Sequence, residues 1–283
     1  MSGLKRFIRL NLINFNQGCL TAVLVILAGV CAVGVTLWFR SFEAMTLGID
    51  IDDFSLGDNL ALLLMGRPQF EFRPGVLFIP PLDWLLLFMI CQFVPLGFSV
   101  CELTSHDEQI LIRCQSRNMW WLSKCVWAMA SVTFFCIAVL LTSTIWTFFM
   151  GQSMELIVHE ESMLLSEVSS DFYLSFPVSI LPFLAGCYAG VIALQLIQAC
   201  LSLLLNPIVA YLTSAAMLMS ASYVQSPLLT ANLLSFSRYE GAVQGGVSFE
   251  ISLGIALLFT ALSLVCGQVY ICRVDIMRKG RKQ

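Results

Sequence analysis

The chain reads as an all-α polytopic membrane protein: six transmembrane helices in one unit, residues 1–283, with a helix on the membrane surface before the first span and a second one between spans two and three. Three observations predict this. Hydrophobic residues are 58% of the chain and charged residues 12%, about half the charge of a water-soluble domain. Mean hydropathy is +0.85. The apolar residues also gather in six runs near the ~20 residues needed to cross a bilayer.

Residues 1–17 come first. Leu4, Phe7, Ile8, Leu12 and Phe15 recur at helical spacing, with Lys5, Arg6 and Arg9 off that stripe. This pattern describes an interfacial helix whose apolar face enters the lipid boundary while its cations meet anionic headgroups. The first span, Cys19 to Trp38, is too long for the apolar core of a cleaved signal peptide. An outer loop, 39–81, then carries Glu43, Asp50, Asp52, Asp53, Asp58 and Glu71.

After the second span, Leu82 to Cys101, a loop over 104–124 holds Ser105-His106-Asp107-Glu108, a capping box in which the Ser hydroxyl accepts from the Glu108 N–H. A short helix through Ile110, Leu111, Ile112 and Arg113 follows. Arg113 and Arg117 flank Ser116, and Trp120-Trp121 with Lys124 then anchor the entry to the third span, Cys125 to Phe149, as interfacial aromatics do. The capped helix, with its apolar residues on a charged face, fits the docking of another protein.

The third loop is acidic again: Glu155, Glu160, Glu161, Glu167 and Asp171. The fourth span, Leu174 to Leu205, exceeds one crossing, and Pro177 and Pro182 predict a kinked or re-entrant start. Gly186 and Gly190 form a G-x-x-x-G that lets helix backbones approach closely in lipid. Asn206-Pro207 turns the chain into the fifth span, Pro207 to Tyr223. Residues 225–248 are too polar to cross and too apolar for a free loop, which suggests a short outer helical hairpin. Phe249 to Cys272 completes the six.

Lysines and arginines set the orientation. Eleven fall on the side of the two termini and only Arg40, Arg67, Arg73 and Arg238 on the other. Both termini are therefore expected in the cytoplasm, in a plasma-membrane protein. A net charge of −3 argues against nucleic-acid binding. The eleven cysteines have no C-x-x-C spacing and read as small packing residues rather than metal ligands. No catalytic or cofactor-binding residues are identified.

The layout resembles the permease subunits of type-2 superfamily ABC exporters, with bacterial peptide or bacteriocin export and immunity systems the most similar. The residues that carry the resemblance are the basic segment around Leu4, Phe7, Ile8 and Leu12, which looks like the family's elbow helix. The stretch Glu108-Gln109-Ile110-Leu111-Ile112-Arg113 into Ser116-Arg117-Asn118-Met119-Trp120-Trp121-Leu122-Ser123-Lys124 looks like its coupling helix. Asn206-Pro207 through Ser220-Ala221-Ser222-Tyr223 to Arg238 is similar to its fifth span and outer hairpin.

The resemblance implies a second permease chain, identical or homologous, and two copies of a cytoplasmic ATPase that grip Glu108, Ile110, Leu111, Arg113 and Arg117. ATP and Mg would sit on that ATPase. This chain has no G-x-x-x-x-G-K-[ST] to cradle phosphates.

Rival readings remain. His159-Glu160-Glu161 invites an intramembrane enzyme, but the other histidine, His106, falls across the membrane, and a water-activating metal wants three protein ligands. A solvated acidic face is the plainer reading, with Asp50, Asp52, Asp53 and Asp58 offering a surface to a cationic substrate. An ion-coupled transporter would place charges in its spans, whereas these hold only Gln92, Gln195, Gln198 and Gln268 as larger polar groups. A non-transporting immunity or sensor subunit would use the same scaffold.

Overall fold

The computed structural model describes residues 3–70, 77–93, 117–165 and 176–273. The chain is mostly helical. In order come α1 (Gly3–Leu47), α2 (Leu56–Leu63), α3 (Leu82–Phe93), α4 (Arg117–Phe149), β1 (Ile157–Val158), α5 (Glu160–Met163), β2 (Val178–Ser179), α6 (Leu181–Leu204), α7 (Pro207–Tyr223) and α8 (Phe249–Arg273), with two 3-10 turns, Thr230–Leu234 and Phe236–Arg238, between the last two.

Four of these helices are long and apolar enough to cross a membrane: α1 over Cys19–Leu47, α4, α6 and α8. At 1.5 Å per residue, α7 (17 residues) reaches only about 26 Å and the 12 residues of α3 about 18 Å. The described part of α3 stops well before the expected end of the second span at Cys101.

Several boundaries differ from the sequence expectation, each for a physical reason. The described part of the elbow, from Gly3, and the first span are one unbroken 45-residue helix. Between them stands only Gly18, whose cost of about 1 kcal/mol cannot break a helix supported on both sides. The same helix runs nine residues past Trp38 into the expected outer loop, to Leu47. Residues 117–124, assigned to the cytoplasmic loop, are the first two turns of α4.

The fourth span starts at Leu181 rather than Leu174, with Pro182 tolerated in the first turn. Instead of a re-entrant start, Val178–Ser179 pairs antiparallel with Ile157–Val158. The outer helical hairpin over 225–248 is absent: the segment forms the two 3-10 turns, and all of their residues are buried.

Three connections interlock at one end of the bundle. The N–H of Leu56 donates to the Ser153 carbonyl (2.8 Å), that of Ile180 to Leu156 (3.2 Å) and that of Phe236 to Leu64 (2.9 Å). The described residues of 48–81, 150–180 and 224–248 thus form a single cap. Gly66 turns the chain within it at φ +63°, beside Ser235, where a side chain would find neither room nor a relaxed backbone. A second apolar cluster lies at the other, basic end, where Trp120, Trp121 and Cys125 of α4 meet Leu196, Ala199, Cys200 and Leu203 of α6 and Ile271 of α8.

Candidate functional site

The basic end is built from the first two turns of α4. Arg117 directs Nη1 at the last carbonyls of α8, Ile271 (3.3 Å) and Cys272 (3.2 Å). A cation there satisfies orphan acceptors and complements the negative end of the helix dipole. One turn on, the Trp121 indole N–H donates to the Leu264 carbonyl of α8 (2.9 Å). Its ring lies against Gly267, where any Cβ would collide with it. Ser123 hydrogen-bonds the Asn11 side chain of α1 through Oδ1 (3.1 Å), and Asn11 in turn donates to the Phe7 carbonyl (3.0 Å).

Trp120 and Trp121 are fully buried, and Lys124, also buried, holds its ammonium 5.3 Å over the Trp120 ring. These residues are therefore a packed junction of α1, α4, α6 and α8, not the interfacial anchor expected from their sequence. A Trp pair reads the same way at a headgroup boundary and in a helix interface; its neighbours in space decide which it is.

Of the expected coupling residues, Arg117 belongs to this junction. Glu108, Ile110, Leu111 and Arg113, with the Ser105 capping box, lie outside the described residues. In the expected surface helix Ile8 and Leu12 are exposed and Phe7 is half-buried, while the side chain of Leu4 lies outside the described set. Gly186 and Gly190 face the cap: a Cβ on Gly186 would run into the Phe249 ring of α8, and one on Gly190 would sit 3.1 Å from the Thr230 carbonyl and 3.2 Å from Leu233. Their contact is with the first 3-10 turn and the start of α8.

The cap contains two polar clusters that were not foreseen. Asp58, placed among the solvated acidic residues, is fully buried. It closes a capping box with Ser55, accepting from that residue's N–H at 2.8 Å while Ser55 Oγ accepts from the Asp58 N–H at 3.1 Å. Across the cap, Asp58 Oδ1 accepts from the His159 N–H (2.7 Å) and the Ser162 hydroxyl (2.5 Å), and Oδ2 lies 2.8 Å from His159 Nδ1. The acceptors for the Ser162 hydroxyl are this carboxylate and the His159 carbonyl (2.8 Å). The arrangement clasps α2 to α5. Among the described residues, no three His, Cys, Asp or Glu side chains converge as a metal ion requires.

The second cluster surrounds Arg238, 1% exposed. Its guanidinium donates to the carbonyls of Arg67 (2.8 Å), Pro68 (3.4 Å), Ser222 (2.8 Å), Val224 (2.8 Å) and Ala221, and to Asn232 Oδ1 (2.5 Å). Three of these carbonyls end α7, so one side chain caps that helix and ties it to residues 67–68. Burial pushes its pKa down to about 10, which leaves the group charged at neutral pH. The capping box at Ser55-Leu56-Gly57-Asp58 was the one readable signal for either cluster. The partners of Asp58 and Arg238 are otherwise distant in sequence.

Residues 70–277 match the family described as "Protein of unknown function (DUF2705)". The match covers most of the chain, and the protein belongs to that family. No curated protein and no solved structure matches it.

Proposed function

We propose that the chain is the membrane-spanning permease subunit of an ABC transporter, exporting a peptide or other amphipathic substrate with ATP hydrolysed by a separate subunit. In this reading six helices cross the plasma membrane, α3 and α7 completing the four longer ones, and both termini and the basic end are cytoplasmic. A second permease chain, identical or homologous, and two ATPase copies complete the assembly.

The observation that carries the proposal is the wiring of the basic end. Directly after residues 104–116, the segment proposed to receive the ATPase, Arg117, Trp121 and Ser123 connect α4 to α8 and α1 through side-chain hydrogen bonds. A push on that segment is delivered to three long helices at once, which is how a packing event at one site becomes a motion of the bundle.

The test is to purify the full chain with mild detergent and identify what accompanies it. An ABC-type ATPase should co-purify, and the double variant Leu111→Asp, Arg113→Glu should abolish that association while the protein still reaches the membrane. Retention of the ATPase by the double variant would refute the docking assignment. A chain that never co-purifies with an ATPase would refute the subunit reading itself.

A further inference from the structure

Between α3, α4 and α6 lies a cavity of about 300 Å³, lined almost wholly by apolar groups that include Phe88, Cys91, Cys136, Cys187 and Val191. Its mouth is formed by Ile137, Leu140 and Tyr188, all exposed on the flank of the bundle, with the Tyr188 hydroxyl 2.8 Å from Thr133 Oγ1. That flank belongs to helices long and apolar enough to cross a membrane, so the mouth opens sideways into lipid.

One helical turn toward the basic end, the polarity changes. Gln92 follows Phe88 by four residues on α3, and Gln195 follows Val191 by four on α6, so each continues a helix face that lines the cavity, one turn beyond the lining residues themselves. Both amides are at most 1% exposed, and none of their four polar atoms has a hydrogen-bond partner. Gln198 spends its N–H on the Gln92 carbonyl (2.9 Å) and leaves Oε1 unpartnered. Buried amides are nearly always satisfied, and a group of them without partners, one turn below the floor of an apolar chamber, is an acceptor and donor set open to a ligand that reaches it.

We propose that this chamber is a binding site for a membrane-dissolved molecule with an apolar chain and a single uncharged polar head, such as an alcohol, amide or ester. The chain occupies the apolar chamber, and the head is held by Gln92 and Gln195, whose side chains turn into the chamber to meet it. At about 30 Å³ per water-sized unit, the volume takes a chain on the order of ten carbons. Absence of charge at the floor selects against fatty acids and amines, whose ionised heads would have no counter-ion. The site goes beyond the export reading and does not depend on it, because its occupancy is measured without any ATPase.

The experiment uses the full chain in phosphatidylcholine nanodiscs with two photoreactive probes, a diazirine-bearing decanol and the matching diazirine-bearing decane, and maps the labelled residues by mass spectrometry. Saturable decanol labelling should concentrate on α3, α4 and α6 around Cys91 and Cys187. Gln195→Met, which keeps the volume and removes an orphan group, should weaken decanol labelling about five-fold and leave decane labelling unchanged. Val191→Trp, or Leu140→Trp at the mouth if the first variant fails to fold, should suppress both.

Labelling that is unsaturable and spread over the lipid-facing side chains of α1 and α8 would overturn the proposal. So would an equal loss of both probes in Gln195→Met. Labelling that falls as chains are brought together would assign the cavity to a second copy and overturn it as well.

Discussion

The cap and the seam between α3 and α6 both bury large polar side chains, and Arg238 and Asp58 in the first are treated in the opposite way to Gln92 and Gln195 in the second. In the cap, Arg238 has six acceptors and the Asp58 carboxylate has four donors around it. In the seam, Gln92 and Gln195 have none. The cap side chains therefore hold the fold together, whereas the seam amides cost stability and must be justified by something other than folding. Substitutions should consequently have opposite signs in the two places, and that is the sharpest way to break the comparison.

The largest effect is expected from Arg238→Met. Removing the guanidinium orphans the last carbonyls of α7 and the Arg67 and Pro68 carbonyls together, at a cost on the order of 3–5 kcal/mol. Thermal unfolding in detergent should show a melting temperature lowered by many degrees. A shift no larger than that of an exposed control such as Arg273→Met would mean the cap does not depend on this residue.

Next comes Asp58. In Asp58→Asn one end of the side chain becomes an N–H₂, and whichever end it is faces a backbone N–H, of Ser55 or of His159. A loss of about 1–3 kcal/mol is expected. His159→Ala, by contrast, removes a ring that is 40% exposed and should cost less than about 1 kcal/mol. If the two variants melted together, the clasp would be an imidazole–carboxylate pair rather than a carboxylate held by backbone.

The smallest effect carries the reversed sign. Gln195→Met should raise stability by about 1 kcal/mol, because an unsatisfied amide is replaced by an apolar group of similar volume. A destabilisation would show that Gln195 is satisfied in the folded protein, and the contrast between cap and seam would disappear.

What was legible in the sequence follows the same division. The long apolar helices were readable because hydropathy accumulates over ~20 residues and needs no knowledge of neighbours. Asn206-Pro207 was readable because a cap is local: Asn206 Oδ1 accepts from the Ile208 N–H at 2.9 Å. The burial of Asp58 was only half readable. Ser55 announces the capping box three residues away, while His159 and Ser162 arrive from about a hundred residues on.

Arg238 gave no signal at all, since an arginine on the acidic side of a membrane protein looks solvated until residues 67–68 and 221–224 fold around it. The Trp120-Trp121 pair failed in the other direction: composition favoured a headgroup belt, and Gly267, far along the chain, supplied the slot that buries Trp121. The seam glutamines were visible as polar residues in apolar runs, but their lack of partners is a property of three dimensions.

The absence of any break in α1 has a mechanical consequence. Its 45 residues make a rod about 68 Å long, more than twice the ~30 Å thickness of the hydrocarbon layer. A rod pivoting where it crosses that layer is a lever: tilting it by about 10° swings its ends some 12 Å relative to each other. Any torque at Asn11, where Ser123 grips it, therefore reaches the Arg40–Asp83 ion pair at the opposite surface without passing through a joint.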